Sequence, residues 1–484
     1  MTTENTAKAM AIFGSQALGL GMRFLSNVLL ARVLMPDDFG IATVVLTTLN
    51  GVFLFTDVGI QDSIVRHENG ATKDFVETAQ TLLLLRAILV YAVIFFLAPF
   101  FEGFYDIDGL ALYLRIAGLH LVVGGFSSLR MIVQRRRMNV LPTIYIELIS
   151  QIVSIVFMVT LAYIYQNVWP LILSALVMTI VAVCIEQVYR PNPIRFSGLH
   201  KKYAKDILTF GIWILFSTLF NYLIINSDRL ILAKISDVTF TGLFNLGSML
   251  ASIVFMVGSA LFIRLVYPLA ADHFRANLAG SDIDSSLEKT LRGFFPLALS
   301  SSLLLFVLSP LFFRLLYPDV YHVSGSYSQV MVLVYWVMMM YLMLNMIITA
   351  FRRPGLASVF AALTATLRIG LCIGGYHLYG IYGFMAGLGL GSIIGTIVLY
   401  TWLRVNAALK LRYCLEVTIV FFIFVIIYYV FAEVFKEDRN LYEWVSAGVV
   451  CVGAAAYLCK IYGEQGAHFY PCSPRKLISA CGFL

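Results

Sequence analysis

The chain has 484 residues, of which 60% are apolar and 13% charged, with a formal net charge of +7 and a mean hydropathy of +0.87. Soluble domains carry about 25% charged residues, because most of their surface must be solvated. A water-soluble particle of this length is therefore excluded, and the expected fold class is an all-α polytopic membrane protein.

Apolar segments recur at about 9–31, 39–58, 78–100, 110–129, 141–164, 168–189, 207–233, 239–269, 290–316, 328–350, 355–376, 380–402, 414–432 and 442–460. Each approaches the ~20 residues that cross a bilayer as a helix, which gives fourteen expected transmembrane helices. The first reads as a retained span, since its apolar run is too long for a signal-peptide core and no small-x-small site closes it. With the N-terminus placed in the cytoplasm, 23 of the 34 Lys and Arg residues fall on the inner side, five on the outer side and six within spans. That asymmetry predicts cytoplasmic N- and C-termini. It also reads the net charge as positive-inside bias, with no nucleic-acid partner implied. The run Arg135-Arg136-Arg137 reads first as a topology anchor beside anionic membrane lipid.

Span 1 ends in Leu30-Ala31-Arg32 and Gly40-Ile41 opens span 2; 202 residues later, Leu232-Ala233-Lys234 and Gly242-Leu243 occupy the same places. The pattern predicts two parallel six-helix halves, 1–190 (spans 1–6) and 191–404 (spans 7–12). Spans 13 and 14 (405–462) and a cytoplasmic tail (463–484) follow. Parallel repeats of this kind are a transporter architecture, with the substrate site between the halves.

Ionisable residues inside spans cost roughly 2.5–3.5 kcal/mol each at a helix centre, so they face a cavity, a partner or the interface. The basic ones are Arg23, Arg86, Arg115, Arg229, Arg264 and Arg368. Arg23 and Arg368 lie near mid-span and Arg86 about two turns in, which favours a water-filled, substrate-facing cavity. Arg115, Arg229 and Arg264 are close enough to span ends to snorkel. Gln16, Gly19, Arg23, Ser26 and Asn27 share one face of span 1 at helical spacing. Glu147, Ser150, Gln151 and Ser154 do so in span 5, and Ser217, Asn221 and Asp228 in span 7. Such stripes suit either a hydrophilic lumen or interhelical hydrogen bonds; three of them together favour the lumen. The intramembrane acids are Asp57, Glu147, Glu186 and Asp228. Asp57 and Glu186 sit near span ends, where solvation or pairing accounts for them. Glu147 is deeper and either titrates in an ion-coupled carrier or pairs with an arginine. Gly383, Gly387, Gly391 and Gly395 form a side-chain-free ridge in span 12, and Gly370 and Gly374 lie in span 11, a pattern for close helix packing.

No phosphate-binding loop, C-x-x-C pair or zinc-binding histidine motif occurs, so neither ATP hydrolysis nor a metal or other cofactor is expected. The seven cysteines read as free thiols.

Several motifs resemble a known family. Leu29-Leu30-Ala31-Arg32-Val33-Leu34-Met35-Pro36-Asp37-Asp38-Phe39-Gly40 is similar to the segment between the first two spans of bacterial polysaccharide exporters. Asp57-Val58-Gly59-Ile60, Arg135-Arg136-Arg137-Met138 and Val168-Trp169-Pro170-Leu171 also resemble that family. It is the O-antigen and colanic-acid type of flippase within the multidrug/oligosaccharidyl-lipid/polysaccharide exporter superfamily. The resemblance is specific mainly over residues 25–175. It implies a V-shaped, two-lobed fold with a cationic central cavity in the bacterial inner membrane. The implied activity is ion-coupled flipping of an undecaprenyl-diphosphate-linked oligosaccharide for lipopolysaccharide or exopolysaccharide synthesis. The partners are then that lipid-linked oligosaccharide, membrane lipid and polysaccharide polymerase machinery, and the protein is not an enzyme. Arg23, Arg86, Arg368, Arg264, Arg229, Gln16 and Asn27 become candidate substrate contacts. Glu147, Asp57 and Asp228 become candidates for coupling to H+ or Na+. A multidrug carrier of the same superfamily would instead need an acidic lumen, and a membrane enzyme of polysaccharide assembly would need a large outer loop. Both fit the sequence less well.

The topology has a direct test. Reporters fused at Arg136 or Lys201 should read cytoplasmic, and those at Asp106 or Glu437 periplasmic. Agreement at only two of the four sites would mean that the spans are miscounted.

Overall fold

A computed structural model describes residues 3–54, 56, 59–136, 139–189, 200–262, 266, 269–270, 280–351, 354–406, 409 and 411–434. Among them the regular structure is helical. In chain order the helices are α1 (Thr3–Leu30), α2 (Pro36–Leu54), α3 (Ile60–Arg66), α4 (Lys73–Tyr105), α5 (Leu110–Gly124), α6 (Leu129–Arg136) and α7 (Leu141–Tyr165). There follow α8 (Trp169–Tyr189), α9 (Lys201–Ile235), α10 (Val238–Leu261), α11 (Gly280–Leu316), α12 (Val323–Ala350), α13 (Pro354–Asn406) and α14 (Arg412–Val434). By length and composition, nine helical stretches among the described residues can cross a membrane, or ten with the bent pair α5–α6. The chain is a multi-pass membrane protein. The difference from fourteen has local causes. The stretches at α1 and α9 do not count among the nine; part of the apolar run of α9 lies outside the described side chains. The stretch from Gly355 to Asn406 counts once although two spans are expected in it, and expected span 14 lies outside the described residues.

Helix α13 is itself two legs. Tyr379 (φ −135°) and Gly380 (φ 59°, ψ −139°) break it, and the left-handed φ at Gly380 suits a residue without Cβ. The legs fold back on each other along the glycine ridge. A Cβ on Gly383 would lie 2.0 Å from the Gly375 carbonyl oxygen; one on Gly387 would lie 2.3 Å from that of Leu371, and one on Gly391 2.7 Å from Arg368 Cα. Gly370 and Gly374, expected to join this seam, have nothing within 4 Å of a built Cβ. Gly375 takes that place, because it lies on the face turned toward the second leg.

Expected span 4 is broken as well. Helix α5 stops at Gly124 and α6 leaves at 56°. The freed backbone groups find side-chain partners, as they must in a bilayer. Gln80 donates from Nε2 to the Gly125 carbonyl at 3.1 Å and accepts the Leu129 N–H at 3.3 Å. One carboxylate oxygen of Glu186 accepts the Ser128 N–H and the Ser127 hydroxyl. Arg136 donates to the carbonyls of Ile64 (2.8 Å) and His67 (2.6 Å), which ties α6 to the end of α3.

The two 202-residue equivalents meet face to face. A Cβ on Gly40 would lie 2.0 Å from the Val238 carbonyl oxygen, and one on Gly242 would lie 2.0 Å from that of Pro36. Adding 202 to one contact and exchanging partners produces the other, the reciprocity of a two-fold interface. Thr239 donates to Asp37, again 202 residues apart, at 2.6 Å. Around this seam Tyr321 donates to the Leu34 carbonyl (2.6 Å), with its ring edge-on to Phe39, and Tyr222 donates to the Thr47 carbonyl. Helix α12, apolar on every side, is buried along most of its length, with Trp336 stacked on Phe421 at 4.6 Å.

Glycines on the two faces of α13 should respond to alanine with opposite signs. Gly370→Ala, in open space, should stabilise by up to about 1 kcal/mol through helix propensity. Gly387→Ala should destabilise by about 1–3 kcal/mol through overpacking. Thermal unfolding of the two purified variants in detergent measures both.

Candidate functional site

Two adjoining recesses lie where α1, α2, α7 and α8 face α9 and α10. Leu20, Arg23, Gln151 and Met256 line both. The recess toward the Gln16 end of α1 has a volume of about 430 Å³, and the one toward Asn27 about 520 Å³. Phe39, next to Gly40 of the seam, lines the second.

The polar stripe of α1 borders these recesses. Gln16, Gly19 and Arg23 line the first, and Arg23, Ser26 and Asn27 the second. The stripe of α7 follows it, with Glu147 and Gln151 on the first recess and Gln151 and Ser154 on the second. The two helices are joined where Gln151 donates to the Gly19 carbonyl at 2.7 Å. Ser150 is turned away and donates to the Ile146 carbonyl.

Charge is distributed unevenly. The lining of the second recess contains two arginines, Arg23 and Arg229, and no carboxylate. Five amide side chains (Asn27, Asn50, Gln151, Asn226 and Asn245) and several hydroxyls surround them, with Met158, Met178, Met249 and Met256 as the adaptable apolar part. The Arg23 guanidinium has no hydrogen-bond or carboxylate partner among the described residues and is exposed to the recess. Arg229 donates from Nη1 to Asn226 at 2.9 Å, and its buried Nε has no partner. Asn27 donates to the Met249 sulfur at 2.9 Å. Such a surface of paired cationic donors and amides fits an anionic, multiply hydroxylated ligand.

The other candidates lie elsewhere. Arg86, expected to face the cavity, donates to the Phe53 carbonyl (2.8 Å) and the Thr56 hydroxyl (3.3 Å), with its guanidinium 4.2 Å from the Phe53 ring centre. It closes the C-terminal end of α2, where carbonyls lack helical partners. Arg368, also expected there, is 2% exposed and donates to Ser392 between the legs of α13. Arg115 donates to the Phe95 carbonyl and lies over that ring. Glu147 lines the first recess but pairs at 3.0 Å with Arg135 of α6, both half exposed, not with an intramembrane arginine. Asp228, expected on a lumen-facing stripe, is 1% exposed and absent from the lining, while its neighbours Asn226 and Arg229 face the recess. Successive helical residues point about 100° apart, so Asp228 and Arg229 cannot share a face. Asp57 and Arg264 lie outside the described residues, as does the side chain of Ser217. Among the described residues no cluster of metal-ligating side chains occurs.

Asn50, Asn226 and Asn245 were not singled out in the sequence. The repeat carries a signal for part of this set. An offset of 202 takes Asn27 to Arg229, Thr43 to Asn245 and Asn50 to Ser252, and all six line the second recess.

Arg86→Ala should lower stability by about 1.5–3 kcal/mol, the loss of charge-assisted bonds to α2, while pyrophosphate binding changes less than twofold. Thermal unfolding and binding titration of the purified variant separate the two effects; a large binding loss at unchanged stability would return Arg86 to the cavity.

A family model described as polysaccharide biosynthesis protein matches residues 29–326. The chain is 24% identical over 253 residues to the succinoglycan biosynthesis transport protein ExoT of Rhizobium meliloti, covering 51% of this chain and 50% of that one. It is 24% identical over 280 residues to the lipopolysaccharide biosynthesis protein WzxC of Escherichia coli, covering 56% and 54%. The chain thus spans about half the length of the curated relatives it matches. Among solved structures, the lipid II flippase MurJ in an inward closed conformation superposes with a TM-score of 0.67 at 14% identity, covering 94% of this chain and 99% of that one. An inward-facing MATE family multidrug resistance transporter gives 0.65 at 10% identity, covering 80% and 94%. At these identities the likeness is one of fold.

Proposed function

Because this chain belongs to the polysaccharide biosynthesis protein family, we propose that it carries an undecaprenyl-diphosphate-linked oligosaccharide from the inner to the outer leaflet of the bacterial cytoplasmic membrane. The observation that carries this reading is the second recess, lined by Arg23 and Arg229 with five amides and no carboxylate. A diphosphate needs donors that stay charged, and a guanidinium supplies them in a planar fork at any relevant pH. The amides and hydroxyls suit sugar hydroxyls. A carrier for cationic drugs would be opposed by the same two arginines. The protein works as a carrier and not as an enzyme, in keeping with its transporter-like relatives.

In this reading, 1–190 and 191–404 are two lobes that rock about the recess, with both termini cytoplasmic. The reciprocal Gly40–Gly242 contact supports that division, because it joins repeat-equivalent positions on either side of the site. The closed seam is then the outer gate. The conformational cycle draws on a proton or sodium gradient through one of the intramembrane acids Glu147, Asp57 or Asp228. Polymerase machinery receives the flipped unit on the outer face.

Arg23 gives the decisive test. In a strain that depends on this protein for surface polysaccharide, Arg23→Ala should cut export by roughly ten- to a hundredfold at normal membrane abundance. That is the loss of one charge-assisted bond of ~1.5–3 kcal/mol. Arg23→Lys should be milder and Arg23→Glu worse. Unchanged export by Arg23→Ala would overturn the cationic site.

A further inference from the structure

Tyr222, Asn226 and Arg229 recur at i, i+4 and i+7 along α9, which puts them on one face of the helix. That face is pinned to α2, where the Tyr222 hydroxyl donates to the Thr47 carbonyl. Thr47, Asn226 and Arg229 all line the second recess. Asn226 uses both ends of its amide. Nδ2 donates to the Tyr222 carbonyl one turn back at 3.4 Å, and Oδ1 accepts from Nη1 of Arg229 at 2.9 Å. The contact to the Tyr222 carbonyl keeps the amide oxygen turned to the guanidinium.

The acceptor at this place is neutral. Elsewhere in the protein arginines are held by acids: Arg135 pairs with Glu147 and Arg292 with Glu288, each at 3.0 Å. An acid at position 226 would pair with Arg229 in the same way, since residues three apart on a helix are neighbours. An amide oxygen accepts the same hydrogen bond and leaves the positive charge whole. The acid next to Arg229 in the chain, Asp228, is 1% exposed, accepts the Arg229 backbone N–H at 2.8 Å and is absent from the recess lining. Arg229 is therefore held in direction on the recess side without being neutralised there. Arg23, on the same recess, has no such holder among the described residues. A donor oriented before the ligand arrives meets part of the ordering cost of binding in advance.

We infer that Asn226 is a positioning residue for an anionic headgroup: its neutral amide aims the Arg229 guanidinium at the recess and leaves the charge for the ligand. The inference rests on the reading of Arg229 as a contact of the diphosphate. Asn226 acts on the ligand through Arg229.

The test is a double-mutant cycle on the full-length protein in lipid nanodiscs, with undecaprenyl diphosphate as the probe. Asn226→Ala, which suits a helix, should weaken binding about tenfold through the loss of the orienting hydrogen bond to a charged group. In an Arg229→Gln background the same change should cost less than about twofold, because the side chain it acts on is gone. Asn226→Gln restores a neutral amide and should bind within about threefold of the parent. Asn226→Asp keeps the shape and the acceptor but neutralises Arg229, and it should bind more weakly than Asn226→Ala. Binding by Asn226→Asp equal to the parent's would show that the neutrality of the acceptor is immaterial, and the inference falls. A loss in Asn226→Gln as large as in Asn226→Ala would overturn it too. Arg229→Gln alone separates the premises. Unchanged binding there rejects Arg229 as a contact, whereas weakened binding with equal Asn226→Ala losses in both backgrounds rejects the positioning role alone.

Discussion

A guanidinium stays charged at every pH a cell experiences, so each arginine carried into a bilayer must find acceptors, an anion or water. That constraint sorts the intramembrane arginines of this protein. Arg86 and Arg115 are satisfied by backbone carbonyls, the first at the end of α2 and the second against α4. Arg368 is held by a serine in a cradle that only a glycine leaves open. Arg23 and Arg229 face the recesses, Arg23 without a partner among the described residues and Arg229 with Nη1 on Asn226 and its Nε unmet. Guanidinium donors left unmet beside a recess can be satisfied there by an anion.

The position of the recess depends on the contact between α2 and α10. Two glycines let the backbones approach to a distance that no Cβ tolerates, and the reciprocal carbonyl contacts fix the register of one half against the other. From this register the repeat-equivalent positions Asn27 and Arg229, Thr43 and Asn245, and Asn50 and Ser252 converge on one space. The backbone arrangement is nearly two-fold while the chemistry is not. Arg23 has Ile225 as its equivalent, and Arg229 has Asn27. A pseudo-symmetric frame thus carries asymmetric side chains, with both arginines on one space.

Rigidity is also unevenly placed. The second half is knitted together by the glycine seam of α13 and by the buried aromatic contacts of α12. The recesses, by contrast, are bordered by methionines, amides and hydroxyls that adapt to a ligand without repacking a core. The helix broken at Gly125 has its freed backbone groups held by Gln80, which the absence of water in a bilayer requires. The polypeptide is closely packed along α12 and α13 and adaptable around the recesses.

The amino-acid sequence by itself determined the membrane class, the helical fold, the 202-residue repeat and the polar face of α1. These rest on local quantities: segment hydropathy, and a spacing of three and four residues that puts Gln16, Arg23 and Asn27 on one side of a helix. Depth within a span, however, did not tell a recess-facing arginine from one held by the protein. Arg86 and Arg368 lie inside their expected spans as Arg23 does, yet their partners are the Phe53 carbonyl and Ser392, which come from other turns and other helices. The same holds for Asp228, which one helical step of about 100° turns away from Arg229 and into the protein. Periodicity states which residues share a face; only tertiary packing decides whether that face meets a carbonyl, a neighbouring helix or open space, because the acceptors that satisfy a buried charge are remote in sequence.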